Sequence, residues 1–229
     1  MYLWKCWRDT RSFAVVFMVM AAAVMPVTAA IGVGTTLLEK GFAKGIFIST
    51  LVFMLFVVAL GLGAIGAIQE FTDKTAHFLF TKPRPRFYFV WIGWVVGCTE
   101  ILAIALVNVL VGGITLAHYG KIPFGSVVFD LIKKQDVAPI LIDALFIYSL
   151  TYSLTAVLRN GLKGLGASMG SLAILQALAV AIRMRWNVNV PLPPQPIGSL
   201  SQAISNLVWM LVALLLVFSA QLVVERVEI

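Results

Sequence analysis

GLGAIGAIQEFTDKTAHFLFTKPRPR, residues 61–86, is the stretch in which a long apolar run gives way to a compact polar turn carrying both signs of charge. The run that feeds it, residues 46–68, has 23 positions and no ionisable side chain. At 1.5 Å per residue that is enough helix to cross about 30 Å of hydrocarbon. The turn holds Glu70, Asp73, Lys74, the apolar island Phe78-Leu79-Phe80 and then Lys82-Pro83-Arg84-Pro85-Arg86, none of which suits a loop buried in lipid. Residues 69–80 can form a short helix, with Glu70, Asp73, Lys74 and His77 on one side and Phe71, Phe78 and Leu79 elsewhere; Pro83 and Pro85 end it. Two readings stay open: a short surface helix that a soluble partner grips, or a connecting loop whose cations anchor it to lipid head groups.

Working outward, the rest of the chain has the same character. Of 229 residues 61% are hydrophobic and 12% charged, and the mean hydropathy is +0.99. Soluble domains carry about 25% charged residues, so the composition is that of an integral membrane protein. The 17 Lys+Arg against 10 Asp+Glu stand in short clusters beside apolar spans, a pattern of membrane orientation rather than nucleic-acid binding. The pattern predicts an all-α membrane protein of one transmembrane domain over 1–229. Its six transmembrane helices are expected near 13–31, 46–68, 87–117, 140–158, 165–182 and 203–224.

Residues 1–12 precede the first span and read as an interfacial elbow helix. Leu3, Trp4 and Trp7 share one arc, and Lys5, Arg8, Asp9 and Ser12 the opposite one, so Trp4, Lys5, Trp7 and Arg8 are the interfacial anchors. The first span reads as a retained helix rather than a signal peptide. The third apolar stretch, 31 residues long, exceeds one straight crossing and must tilt, extend or break near Gly112-Gly113. Gly61, Gly63 and Gly66 match a dinucleotide fingerprint letter for letter, but no strand precedes them, so close helix packing is the expected use. Gly166 and Gly170 show the small-xxx-small spacing that also permits close approach. Residues 118–139 suit an amphipathic helix on the outer surface.

Two acids fall inside the spans, Glu100 and Asp143. A charge there should face other helices or water, where it either lines a substrate or proton path or bonds to a Ser, Thr or backbone group on a neighbour. The spans hold few other polar groups, which argues against a hydrophilic pore and favours an amphipathic or lipid-like cargo. Cys6 and Cys98 suggest neither a metal site nor a disulfide. The chain lacks a phosphate-binding loop, HExxH, CxxC and GxSxG, so no catalytic residue is expected and the chain alone should not hydrolyse ATP. Placing both termini in the cytoplasm puts ten of the 17 Lys+Arg inside, including the densest clusters.

The order Gly66, Glu70, Thr75, Phe78-Leu79, Thr81, Pro83 and Arg86 between the second and third spans resembles the permease subunits of type-2 ATP-binding-cassette transporters. Chain length, the six-span plan and the charged tail agree with that resemblance over essentially the whole chain, although the Lys82-Pro83-Arg84-Pro85-Arg86 ending differs by a second proline. The resemblance implies that residues 69–86 form a cytoplasmic coupling helix. Gln69, Glu70, Asp73, Lys74, Thr75, Phe78, Leu79, Pro83 and Arg86 would meet a separate ATPase subunit that binds ATP and Mg. It further implies a second permease chain in a homodimer or pseudo-dimer, export as the commoner direction, and the inner membrane of a bacterium. An ATP-independent secondary transporter and a membrane assembly scaffold are the competing classes.

Overall fold

A computed structural model describes residues 2–33, 40–72, 87–120, 124–125, 137–186 and 200–227. Every one of them is helical except Arg159 and Asn160. Six long α-helices carry the described chain: α1 (Tyr2–Val33), α2 (Lys40–Thr72), α3 (Phe87–Gly120), α4 (Val137–Leu158), α5 (Gly161–Trp186) and α6 (Leu200–Val227). The reason is that of any chain in hydrocarbon, where each backbone N–H and C=O must find its partner within the segment. Five helices are long and apolar enough to cross a membrane: Phe47–Ala67, Val90–His118, Val137–Leu158, Gly161–Ile182 and Asn206–Val224.

The expected first span, 13–31, falls within α1, where the described residues include the shorter apolar stretch Thr10–Val24. The elbow expected over 1–12 is not a separate surface helix. No Pro or Gly interrupts the sequence before Pro26, and α1 runs unbroken from Tyr2 through Pro26 to Val33. The third span also passes Gly112-Gly113 without a break, as one helix of 34 residues. At Gly112 the ring of Phe47 from α2 occupies the place a side chain would take.

The bundle is organised around α4, which packs on α2, α3, α5 and α6, while α1 rests on α3 and α2. On α2 the stripe Phe47, Leu51, Leu55, Val58 and Leu62 is buried at three- and four-residue spacing, which marks one face turned inward. Backbones approach closely where glycine permits it. A methyl group on Gly63 of α2 would lie 2.7 Å from Thr151 Cβ of α4, and one on Gly97 of α3 would overlap the Tyr148 phenol. Gly61 likewise leaves room for the Phe13 ring of α1, so Gly61 and Gly63 serve close helix packing as their context predicts, while a methyl on Gly66 would make ordinary contact with the Tyr152 ring. Gly166 and Gly170 serve no such packing: both are exposed on α5 with open space where a side chain would stand, since α5 is the least enclosed of the five membrane-length helices.

The turn between α4 and α5 has two residues. Arg159 takes a left-handed φ of 50° and closes α4 as a helix-ending residue. Asn160 then caps α5, its Oδ1 accepting from Lys163 N at 3.1 Å and its carbonyl from Gly164 N at 2.8 Å.

Candidate functional site

Two places in the bundle gather polar chemistry. The first is the seam between α1 and α3. Thr10, on the N-terminal third of α1, is 5% exposed, and Glu100, fourteen positions into α3, is 4% exposed. The Thr10 hydroxyl donates to Glu100 Oε1 at 2.6 Å. That is a short contact, and it ties residues 90 positions apart. Thr10 Oγ1 also lies 3.0 Å from the Cys6 carbonyl and 3.5 Å from that of Trp7, so the hydroxyl sits where its own helix offers other acceptors. Glu100 Oε2, by contrast, is buried with no hydrogen-bond partner among the described residues. Two turns further along α3, Asn108 is fully buried, and among the described residues neither of its amide atoms has a partner.

The second place is where the start of α3 meets α4 and α6. Tyr148 donates to the Gly93 carbonyl at 3.2 Å and Tyr152 to the Val90 carbonyl at 3.0 Å. Trp94 Nε1 donates to Ser149 Oγ at 2.9 Å, and that hydroxyl donates in turn to the Leu145 carbonyl at 2.7 Å. Trp91 Nε1 donates to Gln221 Oε1 of α6 at 2.7 Å. Trp91 and Trp94 meet edge to face at 5.6 Å, so α3 enters the bundle strapped to two helices by aromatic donors. Ser149, Thr151, Ser153 and Thr155 are all buried on α4. Thr151 satisfies itself on the Ile147 carbonyl at 2.9 Å, whereas Ser153 Oγ and Thr155 Oγ1 have no partner among the described residues.

The residues singled out in the sequence are distributed unevenly over these places. Glu100 is in the first. Asp143 is half-buried on α4. The contacts of residues 90, 93 and 94 with 152, 148 and 149 run antiparallel, which sets Asp143 at about the depth of Glu100. It lies nine residues before Tyr152, half a turn round the helix at 100° per residue, so the two acids do not converge on one site through the α3–α4 contact. Trp4, Lys5 and Arg8 belong to α1. Trp7 is 40% exposed, with the Arg11 guanidinium 5.8 Å from its ring centroid. Gln69 and Glu70 fall in the last turn of α2. Asp73, Lys74, Thr75, Phe78, Leu79, Pro83 and Arg86 lie outside the described residues, as does most of 118–139.

Sequence reading missed Asn108, Gln221 and the hydroxyl-rich middle of α4. A signal for the last was there, since YSLTYSLT repeats a small hydroxyl residue through an otherwise apolar helix. Among the described residues no group of three or more His, Cys, Asp or Glu is placed to hold a metal. Comparison of the chain with protein-family models, with curated proteins and with solved structures gives no match in any of the three.

Proposed function

We propose that this chain is the membrane-spanning subunit of an ATP-binding-cassette transporter, moving substrate by alternating access driven by a separate ATPase. The observation that carries the reading is the polar turn of residues 69–86, with its Glu70, Thr75, Phe78-Leu79, Pro83 and Arg86 order. It joins α2, which ends at Thr72, to α3, which begins at Phe87. Movement of a partner at that turn would reach both helices together. α2 packs on α4 through Gly63 and Thr151, and α3 is held to α4 and α6 by Tyr148, Tyr152, Trp94 and Trp91, so a push there is not lost in a slack joint. Nucleotide can shift the bundle only by the difference in docking free energy between its two states. Glu70 and Arg86 would carry that difference by charge-assisted contacts and Phe78 by packing. Two permease chains and two ATPase chains would make the transporter.

The test is retention of a co-purifying ATPase by the tagged chain expressed from its native operon. Glu70→Ala and Phe78→Ala should each release the ATPase, or uncouple its hydrolysis from transport, while the chain stays folded. Full retention and coupling in both variants would overturn the assignment of the turn.

A second reading, an ATP-independent transporter, is favoured by one feature, the unpartnered carboxylate oxygen of Glu100. It requires transport by the chain alone in liposomes, abolished by Glu100→Gln.

A further inference from the structure

We infer that the seam between α1 and α3 at Glu100 binds the charged head of an amphipathic organic ammonium. This deepens the permease reading, on which it rests for treating the bound molecule as cargo.

Glu100 is 4% exposed among apolar neighbours, with Ile101 and Ile104 of α3 and Ala14 of α1 all buried close by in sequence. One carboxylate oxygen takes the Thr10 hydroxyl; the other takes nothing from the described residues. An acid inside a membrane helix is costly unless it meets a partner of opposite charge or water, and no ion pair to Glu100 exists among the described residues. Arg11, one residue beyond Thr10, is exposed and lies over the Trp7 ring. A cation from outside the described residues would supply such a partner at the open oxygen.

Its class is set by the donors present. A hard metal ion wants about six or more oxygen ligands; here there are two carboxylate oxygens and one hydroxyl. An alkylammonium asks for less. Its N–H groups fit one or two carboxylate oxygens, and its hydrocarbon suits an apolar bundle. Trp7 adds an aromatic face that already attracts the guanidinium of Arg11. Trp7 stands one turn before Thr10 on the same helix, and three-residue spacing keeps the two side chains on one side of α1. Thr10 opens the apolar stretch of α1, and Glu100 stands ten residues, about 15 Å of helix, inside the membrane-length segment Val90–His118 of α3, a depth that the head of an amphipath reaches along the α1–α3 seam. The ammonium fills the open Oε2 with one N–H and with another competes with the Thr10 hydroxyl for Oε1, which loosens the hold of α1 on α3.

The experiment is equilibrium dialysis of radiolabelled dodecylammonium against the full chain in lipid nanodiscs at neutral pH. Empty nanodiscs give the background, and dodecanol is the uncharged comparison. Saturable binding of the ammonium and none of the alcohol is expected, weakened about tenfold or more in Glu100→Gln. Thr10→Val removes the competing hydroxyl and keeps the carboxylate, so it should bind a few times more tightly; this variant decides the matter should Glu100→Gln fail to fold by size exclusion and helicity. Absence of saturable binding to the natural chain overturns the inference. So does equal binding of the alcohol, an unaltered Glu100→Gln, or a Thr10→Val chain that binds no more tightly. No ATPase enters the measurement. Its failure beside a recovered ATPase leaves the permease reading standing, and its success without one leaves the site standing and the energy source to be replaced.

Discussion

Helices α4 and α5 are neighbours in sequence, joined by two residues, and of similar mean hydropathy, yet 67% of the one and 6% of the other is buried within the chain. Apolarity does not separate them. Lipid tails are as apolar as leucine, so in a bilayer no hydrophobic force pulls one greasy helix onto another. What α4 has and α5 lacks is a set of groups that need protein around them: Tyr148, Ser149, Thr151, Tyr152, Ser153 and Thr155, all buried. The Gly63 and Gly97 surfaces of α2 and α3 let backbones close on that set. On α5 Gly164 closes on Thr155 of α4 at the start of the helix, but Gly166 and Gly170 beyond it open onto space, and Ile174, Leu178 and Met184 face outward.

The comparison breaks if burial near α4 proves no more sensitive than exposure on α5. Gly97→Leu drives four carbons into Tyr148 and should lower stability in detergent by about 3 kcal/mol or prevent folding, while Gly170→Leu on α5 should shift it by less than about 0.5 kcal/mol. Equal effects in a thermal or steric-trapping unfolding measurement would dissolve the distinction. Smaller changes sharpen it. Tyr152→Phe keeps the ring and deletes the donor to the Val90 carbonyl, and Trp91→Phe deletes the donor to Gln221; each should lose about 1 kcal/mol, toward the lower end for an intramembrane hydrogen bond. Smallest of all, Ser153→Ala removes a buried hydroxyl that has no partner among the described residues and should leave stability unchanged or raise it slightly by the same assay. A loss there as large as that of Tyr152→Phe would mean that Ser153 is held by something besides the described residues.

How much of the molecule is legible in its sequence divides along the same physical line. Five of six spans can be read because length and apolarity alone define a crossing, and 46–68 locates α2 to within a few residues of its membrane-length segment, Phe47–Ala67. The start of the first cannot. Trp4, Lys5, Trp7 and Arg8 make an amphipathic arc that suits a surface helix, but whether the chain bends after it depends on what receives residue 10, and a buried glutamate ninety residues away does. Glu100 itself is conspicuous, because an acid in an apolar run always is. Its partner is a choice among every Ser, Thr and carbonyl on neighbouring helices, and only packing makes that choice. Asn108 escapes notice since a lone amide in a long apolar stretch carries no pattern. Glu70, Phe78 and Arg86 rest on the order of their residues in the turn and on the resemblance it supports.

The straps across the bundle also set an order of events during synthesis. Trp91 emerges 130 residues before Gln221, its hydrogen-bond partner. At roughly 5–20 residues per second the indole N–H has to wait on the order of 10 s, through the making of α4 and α5, before α6 arrives to receive it. Until then the aromatic straps at the start of α3 reach α4 alone, and before α4 appears α3 rests only on α1 and α2. The newborn protein is thus an unlatched set of three helices that the translocation machinery or the lipid must tolerate, and it is α6 that shuts the clasp.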